Sequence, residues 1–225
     1  MGRPPRAAIG NTVYHVINRA NGRMKIFRKQ KDYAAFEDIL TEAKAKYRMR
    51  LLAYCLMPNH WHLVLHPYGD GDLSTFMRWI TLTHTQRWHA HYKNIGYGHL
   101  YQGRFKSFPV QKDEHFLQLV RYVERNAKRA AIVEKAEDWQ WSSLYRREFG
   151  NKEQKKLLSR WPVQPDKEYL QWVNTPQSKE EVEVIRYHIQ RGRPYGKETW
   201  MQSTATKLGL ESTFRNRGRP WNKST

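Results

Sequence analysis

The chain has 225 residues and a formal net charge of +19, because 40 Lys and Arg stand against 21 Asp and Glu. A charge of this size favours a polyanionic partner such as nucleic acid and argues against a protein with no anionic ligand. The single cysteine, Cys55, excludes an intrachain disulfide and is predicted to be a buried thiol. We find neither a membrane-spanning apolar run nor a secretory signal, so we expect no membrane partner and a cytoplasmic, nucleoid-associated protein.

Hydrophobic periodicity predicts alternating strands and helices over the first 130 residues. In chain order these are a strand at 12–19, a helix at 31–47, two strands flanking Pro58, a helix at 72–92, a strand at 107–111 and a helix at 113–130. A loop rich in glycine and aromatic residues is predicted at 94–103. This order predicts an α+β fold, with helices packed on one face of an antiparallel sheet.

The composition changes near Gly150. The remainder is basic and predicts two helices, at 178–190 and 197–210. Gly-Arg-Pro occurs twice, around Arg193 and Arg219, and an Arg between Gly and Pro can lie in a minor groove, although a solvated basic tail has the same composition. We therefore divide the chain into a part at 1–150 that folds alone and a basic, mainly helical DNA-contact extension at 151–225.

His60 and His62 form the most informative pair in the sequence. They open the strand that follows Pro58, and residues i and i+2 of a strand project from the same face. Two imidazoles side by side can bind one divalent metal ion or one phosphate. An isolated pair is more often part of a half-exposed sheet, so the metal interpretation depends on further ligands.

Tyr122 and Asn126 supply candidates for the rest of such a site. They lie four residues apart on the predicted helix at 113–130, so they project from neighbouring turns beside its apolar stripe. Two imidazoles and one amide oxygen leave positions for water and substrate, which suits Mg²⁺ or Mn²⁺ better than a closed structural zinc site. Tyr97 and Tyr101 are alternative hydroxyl groups if this helix assignment fails.

Other polar residues permit two interpretations. His66 is in phase with the histidine pair and either extends the site or marks the end of the strand. His15, near the start of the chain, is either an exposed strand residue or part of a DNA-contact edge. A further group on the helix at 72–92 is predicted to lie on the surface near phosphate: His84, His89 and His91.

Five segments, in the same order, resemble the HUH single-tyrosine transposases, and most closely the REP-associated tyrosine transposases. They are YHVINR at 14–19, LMPNHWH at 56–62, YQGRFKS at 101–107, RYVERNAKRA at 121–130 and WSS at 141–143. One departure is that Ala127 follows Asn126 where the family usually has proline. We expect this to leave the helix more regular without removing a ligand.

The resemblance implies a ferredoxin-like or RRM-like core with Tyr122 as nucleophile and His60, His62 and Asn126 as metal ligands. It implies a transposase that cleaves and rejoins single-stranded or hairpin DNA through a 5′-phosphotyrosine intermediate, with Mg²⁺ or Mn²⁺ as cofactor. Six cationic residues are predicted to contact the DNA: Arg19, Arg23, Arg104, Lys106, Arg193 and Arg219.

Two alternative functions share these features. One is a nucleic-acid-binding module without catalysis, which would not need the histidines, the tyrosine and the asparagine together. The other is a nickase of the replication-initiator or relaxase type, which uses the same chemistry. The sequence leaves the oligomeric state open between a monomer and a homodimer.

Overall fold

The computed structural model describes residues 8–94, 96 and 98–215. The strands are β1 (Val13–Arg19), β2 (Met49–Met57), β3 (His60–Pro67) and β4 (Lys106–Val110). The helices are α1 (Gln30–Lys46), α2 (Asp72–Tyr92), α3 (Glu114–Glu124), α4 (Asn126–Arg129), α5 (Ser143–Phe149), α6 (Lys152–Lys156), α7 (Tyr169–Asn174), α8 (Lys179–Arg191) and α9 (Glu198–Leu208). No helix in these described ranges has the length and apolar character needed to cross a membrane.

The described strands form one antiparallel sheet in the order β2-β3-β1-β4. With α1 between β1 and β2, and α2 between β3 and β4, this is the β-α-β-β-α-β arrangement of ferredoxin-like folds. The central strand β1 pairs with β3 from Tyr14↔Leu65 to Arg19↔His60. The α+β prediction is therefore confirmed, and the register places the start of β3 beside the end of β1.

Both faces of the sheet are covered, so the prediction of helices on one face is wrong. Trp61, Leu63 and Leu65 of β3 lie in a core with apolar residues of α1 and α2. The alternate residue Val64 lies in a second core with apolar residues of α3 and α8. The continuous apolar sequence of β2 carries the signal of a strand buried on both faces, whereas a half-exposed strand alternates with polar residues.

The extension covers the β2 edge of the sheet. Ser159 N donates to Leu51 O at 2.8 Å, and Trp161 Nε1 donates to Leu52 O at 2.7 Å. The register of the β2–β3 pair shifts between Leu51 and Ala53, which is a β-bulge. Strand groups that would otherwise be unpaired at this edge are thus bonded to residues beyond 150.

The extension also covers the opposite edge, at β4. Tyr195 N donates to Pro109 O and Gln111 N donates to Tyr195 O, both at 2.9 Å. The Tyr195 side chain is buried in the core beneath α3 and α8. Residues from beyond 150 therefore contact both edges of the sheet and one of its faces.

Two arginines of the α3 region fix the extension to that helix. Arg121 donates to Trp172 O at 2.9 Å and to Thr175 O at 2.8 Å, and Arg125 donates to Thr175 O at 3.0 Å. The Arg121 guanidinium also lies over the Trp172 ring, 4.5 Å from its centroid. These partners all belong to the extension, so removing it would expose Arg121 and leave it without these contacts.

We therefore predict that a protein truncated after Gly150 is insoluble or strongly destabilised. Loss of buried Trp161, Val182 and Ile185 alone removes roughly 5 kcal/mol of apolar burial. Urea unfolding followed by circular dichroism measures the effect, and truncation after Arg215 is the control. A 1–150 fragment that unfolds at the full-length midpoint would instead show that the first part folds alone.

Candidate active site and metal centre

A cavity of about 620 Å³ lies where the end of β1 meets the start of β3. It brings together four predicted site residues, His60, His62, Tyr122 and Asn126. The other polar or charged side chains lining it are Asn18, Arg19, Gln102, Arg104, Lys106, Arg129, Arg186 and Gln190. None of the described lining residues is Asp or Glu, so the cavity is electrostatically suited to an anion.

The two strand histidines lie side by side, with ring centroids 5.1 Å apart. His60 Nδ1 is 2.6 Å from Asn59 Oδ1. An amide oxygen only accepts hydrogen bonds, so His60 Nδ1 carries the proton and its Nε2 presents a lone pair. Burial, followed by the charges of Arg19 and Arg129, lowers the pKa of His60 to about 4. The neutral imidazole, which is the metal-binding form, therefore prevails near pH 7.

His15 contacts His62 as Asn59 contacts His60, and the sequence did not indicate this role of His15. It is fully buried, and its Nε2 lies 2.8 Å from His62 Nδ1. Burial lowers the pKa of His15 to about 3 and that of His62 well below its usual value. When His62 Nδ1 donates to His15, the His62 Nε2 lone pair is available to a metal. The prediction of an exposed strand residue or a DNA-contact edge at His15 is wrong.

Tyr122 and Asn126 line the cavity from two helices rather than one. The helix is interrupted at Arg125 (φ −79°, ψ 0°), so α3 ends at Glu124 and α4 begins at Asn126. The single helix predicted at 113–130 is therefore two helices in the structure. The Tyr122 carbonyl accepts a hydrogen bond from Arg129 Nη1 at 3.2 Å, which satisfies a carbonyl at the interruption.

The Asn126 amide retains hydrogen-bonding capacity toward the site. Its Nδ2 atom is buried and has no hydrogen-bond partner among the described residues. Amide nitrogen and oxygen differ only in their assignment within the hydrogen-bond network, so the amide can turn its oxygen to the cavity. Tyr122 is 5% exposed, and its ring meets that of His62 edge-on with centroids 6.0 Å apart.

Two cationic side chains flank Tyr122, and neither was predicted from the sequence to be a site residue. The Arg129 guanidinium lies 4.0 Å from the centroid of the Tyr122 ring. Arg186 comes from α8, and its pKa is raised chiefly by a hydrogen bond to Glu183 and further by Tyr122. Arg129 follows Tyr122 by seven residues, so a helical projection could have found it. No pattern in the sequence connects Arg186 with Tyr122.

The predicted DNA-contact residues divide into two groups. Arg19, Arg104 and Lys106 line the cavity. Arg23 does not; it lies in the short 3₁₀ helix Asn21–Arg23, and its carbonyl accepts a hydrogen bond from Asn59 Nδ2. The first three therefore remain candidates for contact with DNA bound at this site.

The first Gly-Arg-Pro triplet is part of the folded structure. Arg193 lies 3.9 Å from the Phe214 ring centroid and pairs with Glu198 at 3.5 Å. Arg193 is therefore engaged within the protein, and its contact with DNA stays a prediction. Arg219 lies outside the described residues.

The alternative nucleophile Tyr101 belongs to a buried network. Trp61 Nε1 donates to the Tyr101 hydroxyl at 2.9 Å, and this hydroxyl lies 2.5 Å from His84 Nδ1. Burial raises the pKa of Tyr101 and lowers that of His84 to about 3. His84 is thus a core residue and the prediction of a surface position is wrong, while Tyr97 lies outside the described residues.

The remaining histidines on α2 and β3 also lie apart from the cavity. His89 Nδ1 is 2.8 Å from Asn94 O, and His91 Nε2 is 2.8 Å from Lys29 Nζ. His66 is buried and does not line the cavity, so it does not extend the site.

One further group contains potential metal ligands, Asp113, Glu114 and His115. Asp113 Oδ1 accepts from His115 N and lies 2.9 Å from His115 Nδ1. These bonds place Asp113 as the N-cap of α3. The capping role accounts for this cluster, which is separate from the histidine pair.

Comparisons with known proteins identify the family of this chain and agree with its fold. The sequence model of the family described as "Transposase IS200 like" matches residues 8–126, more than half of the 225-residue chain. A comparison with curated proteins gives no match. The chain belongs to the IS200-like transposase family, which confirms its predicted place among the HUH single-tyrosine transposases rather than the replication initiators or relaxases.

Several solved structures are similar to this chain, and the first of the two given next shares its fold. One is a REP-associated tyrosine transposase bound to a REP hairpin, with a TM-score of 0.53 and 20% identity over 79% of this chain and 96% of that chain. Another, from Deinococcus radiodurans R1 and named provisionally as a transposase, has a TM-score of 0.40 and 20% identity over 55% of this chain and 97% of that chain. The second likeness is too weak to support an argument.

The buried His84 predicts a loss of stability in acid. Its pKa is about 3 in the folded protein and about 6.5 when unfolded, so between these values only the unfolded state gains the proton. Stability therefore falls as pH drops below 6.5. In His84→Phe this fall should be smaller by roughly 1–3 kcal/mol between pH 7 and pH 5.

The measurement is the free energy of urea unfolding at each pH. His84→Phe also deprives Tyr101 of its hydrogen-bond partner, but that cost is the same at every pH in this range. His99→Phe makes the same chemical change at an exposed position and is the control. Parallel pH profiles for wild type and His84→Phe would contradict the assignment.

Proposed function

We propose that this transposase cleaves and rejoins single-stranded DNA through a 5′-phosphotyrosine intermediate on Tyr122. The observation that carries the proposal is the convergence of Tyr122, His60, His62 and Asn126 in one cavity bordered by cations. A binding module without catalysis has no need of this combination. The structural relative was solved with a REP hairpin, which supports a hairpin as the substrate of this chain.

The donor set fits a divalent metal ion. His60 and His62 offer Nε2 lone pairs, and the buried Asn126 amide has hydrogen-bonding capacity to spare. A Mg²⁺ or Mn²⁺ ion held there would withdraw charge from the scissile phosphate and stabilise charge in the transition state. The ligands are neutral and their neighbours are cations, so we expect binding to strengthen when the DNA phosphate is present.

The cationic side chains perform the substrate-binding work. Arg19, Arg104 and Lys106 line the cavity and can bind the phosphates on either side of the scissile bond. They neutralise the backbone without reading sequence. A single strand can follow such a groove because its backbone is flexible.

Tyr122 then acts as the nucleophile. Its oxygen bonds to phosphorus as the bond to the DNA 3′ oxygen breaks; the tyrosine proton is released, and the leaving 3′ oxygen takes up a proton. In the reverse step, a 3′-hydroxyl attacks the phosphotyrosine and frees Tyr122. One phosphodiester is exchanged for another in each step, so rejoining requires no ATP.

Tyr122→Phe should abolish the covalent protein–DNA adduct while leaving DNA affinity within about twofold, because only one oxygen is removed. The probes are labelled single-stranded hairpins taken from palindromic repeats around the gene. Denaturing gels measure the adduct with Mg²⁺ or Mn²⁺, and EDTA should abolish it. An adduct that persists in the variant would assign the nucleophile to another residue, and activity in EDTA would exclude a metal requirement.

His15→Ala should weaken Mn²⁺ binding about 10- to 100-fold, because His62 loses the partner that fixes its ring and tautomer. His15→Gln should restore much of the affinity, since its amide oxygen can accept from His62. Electron paramagnetic resonance of Mn²⁺ with the Tyr122→Phe protein and a bound hairpin measures binding independently of cleavage. His66→Ala, outside the cavity, is the control; equal affinity in His15→Ala and wild type would contradict this role.

A further inference from the structure

Helix α8 forms a wall of the candidate active site although it lies beyond the region that matches the family, residues 8–126. Val182 and Ile185 of α8 are buried in the core with α3. Ile189, one turn later, packs against this core and lines the cavity. This apolar stripe fixes the rotation of α8.

That rotation directs the polar side of the helix to the cavity. Arg186 follows the buried Ile185 by one residue, and Gln190 lies one turn further on. Both line the cavity together with Tyr122. The Tyr122 hydroxyl also contributes to the raised pKa of Arg186, after the larger contribution of Glu183.

The two arginines beside Tyr122 are placed for different tasks. Arg129 is half-buried; its Nη1 donates to Tyr122 O and to Gln177 Oε1, both at 3.2 Å, and its guanidinium covers the tyrosine ring. These contacts fix Arg129 against Tyr122, so its role is to position the nucleophile.

Arg186 is half-exposed, and Glu183 accepts from its Nη1 at 2.7 Å. An exposed ion pair of this kind contributes little free energy. A guanidinium has five N–H donors, so Arg186 retains donors for a ligand in the cavity.

We propose that Arg186 is a catalytic residue that binds a non-bridging oxygen of the phosphate while that phosphate is transferred to and from Tyr122, so that the extension completes the active site. This inference rests on the proposed strand-transfer function. The planar guanidinium matches phosphate oxygens in pairs, and its fixed charge stabilises charge that develops in the transition state.

The test compares Arg186→Ala and Arg186→Lys with Lys179→Ala. Lys179 is an exposed cation on α8 two turns before Arg186, and it does not line the cavity. The rate of adduct formation is measured at saturating hairpin, with the same oligonucleotides and Mn²⁺ as the wild type. Hairpin affinity is measured separately, with each substitution placed in the Tyr122→Phe protein.

We expect Arg186→Ala to slow adduct formation at least about tenfold at saturating DNA, as loss of one charge-assisted hydrogen bond implies. Arg186→Lys should recover part of the rate, because it keeps the charge but not the paired donors. Lys179→Ala should react within twofold of wild type, and the two alanine variants should bind the hairpin alike.

Four results would overturn the inference. Equal rates in wild type and Arg186→Ala would remove Arg186 from the reaction while leaving the proposed function intact. Equal losses in Arg186→Ala and Lys179→Ala, or a loss confined to affinity, would reduce Arg186 to general attraction of DNA. A wild-type protein that forms no adduct with any hairpin would overturn the proposed function and this inference together.

Discussion

The burial of β3 on both faces is the constraint on which the rest of the structure depends. Every residue of β3 after His60 is buried, so the middle of the sheet cannot accept a substrate. Polar chemistry is restricted to the end of the strand, where His60 is partly exposed and His62 lies just inside. The second core holds α3 against the same face, which brings Tyr122 to that end. The cavity thus lies where the apolar residues that pack on the sheet come to an end.

The high positive charge has two separate uses. Arg121 and Arg125 bind carbonyls of the extension, and Arg146 pairs with Glu37 at 2.5 Å. These arginines stabilise the packing, because their guanidinium groups are bonded to carbonyls or to a carboxylate of the protein itself. Arg19 and Arg104, in contrast, line the cavity. The net charge of +19 indicates an anionic partner, but it does not show which residues would contact that partner.

The strands, the long helices and the histidine pair were predictable because they depend on local sequence patterns. Period-two and helical periodicities predicted the strands and the long helices within about two residues, and the HUH motif singled out His60 and His62. The break at Arg125 was not predictable, because residues 113–130 keep a helical periodicity and contain no Gly or Pro that would indicate an interruption. His15 looked like an ordinary strand residue, since burial by α3 and α8 is not a property of its own segment. The extension looked like a tail because Trp161 and Tyr195 are isolated contacts in a polar sequence.

The composition of the cavity favours strand transfer over hydrolysis. Hydrolysis of a phosphodiester needs a base that activates water, and carboxylates commonly serve in that role. No carboxylate is among the described residues lining the cavity. His60 Nδ1 is bonded to Asn59, and His62 Nδ1 to His15, which leaves only the Nε2 atoms that the metal would take. In the proposed reaction Tyr122 is the nucleophile, and its phosphate ester persists until a 3′-hydroxyl arrives. Such a site preserves the phosphodiester bond for rejoining, which is the chemical requirement of transposition.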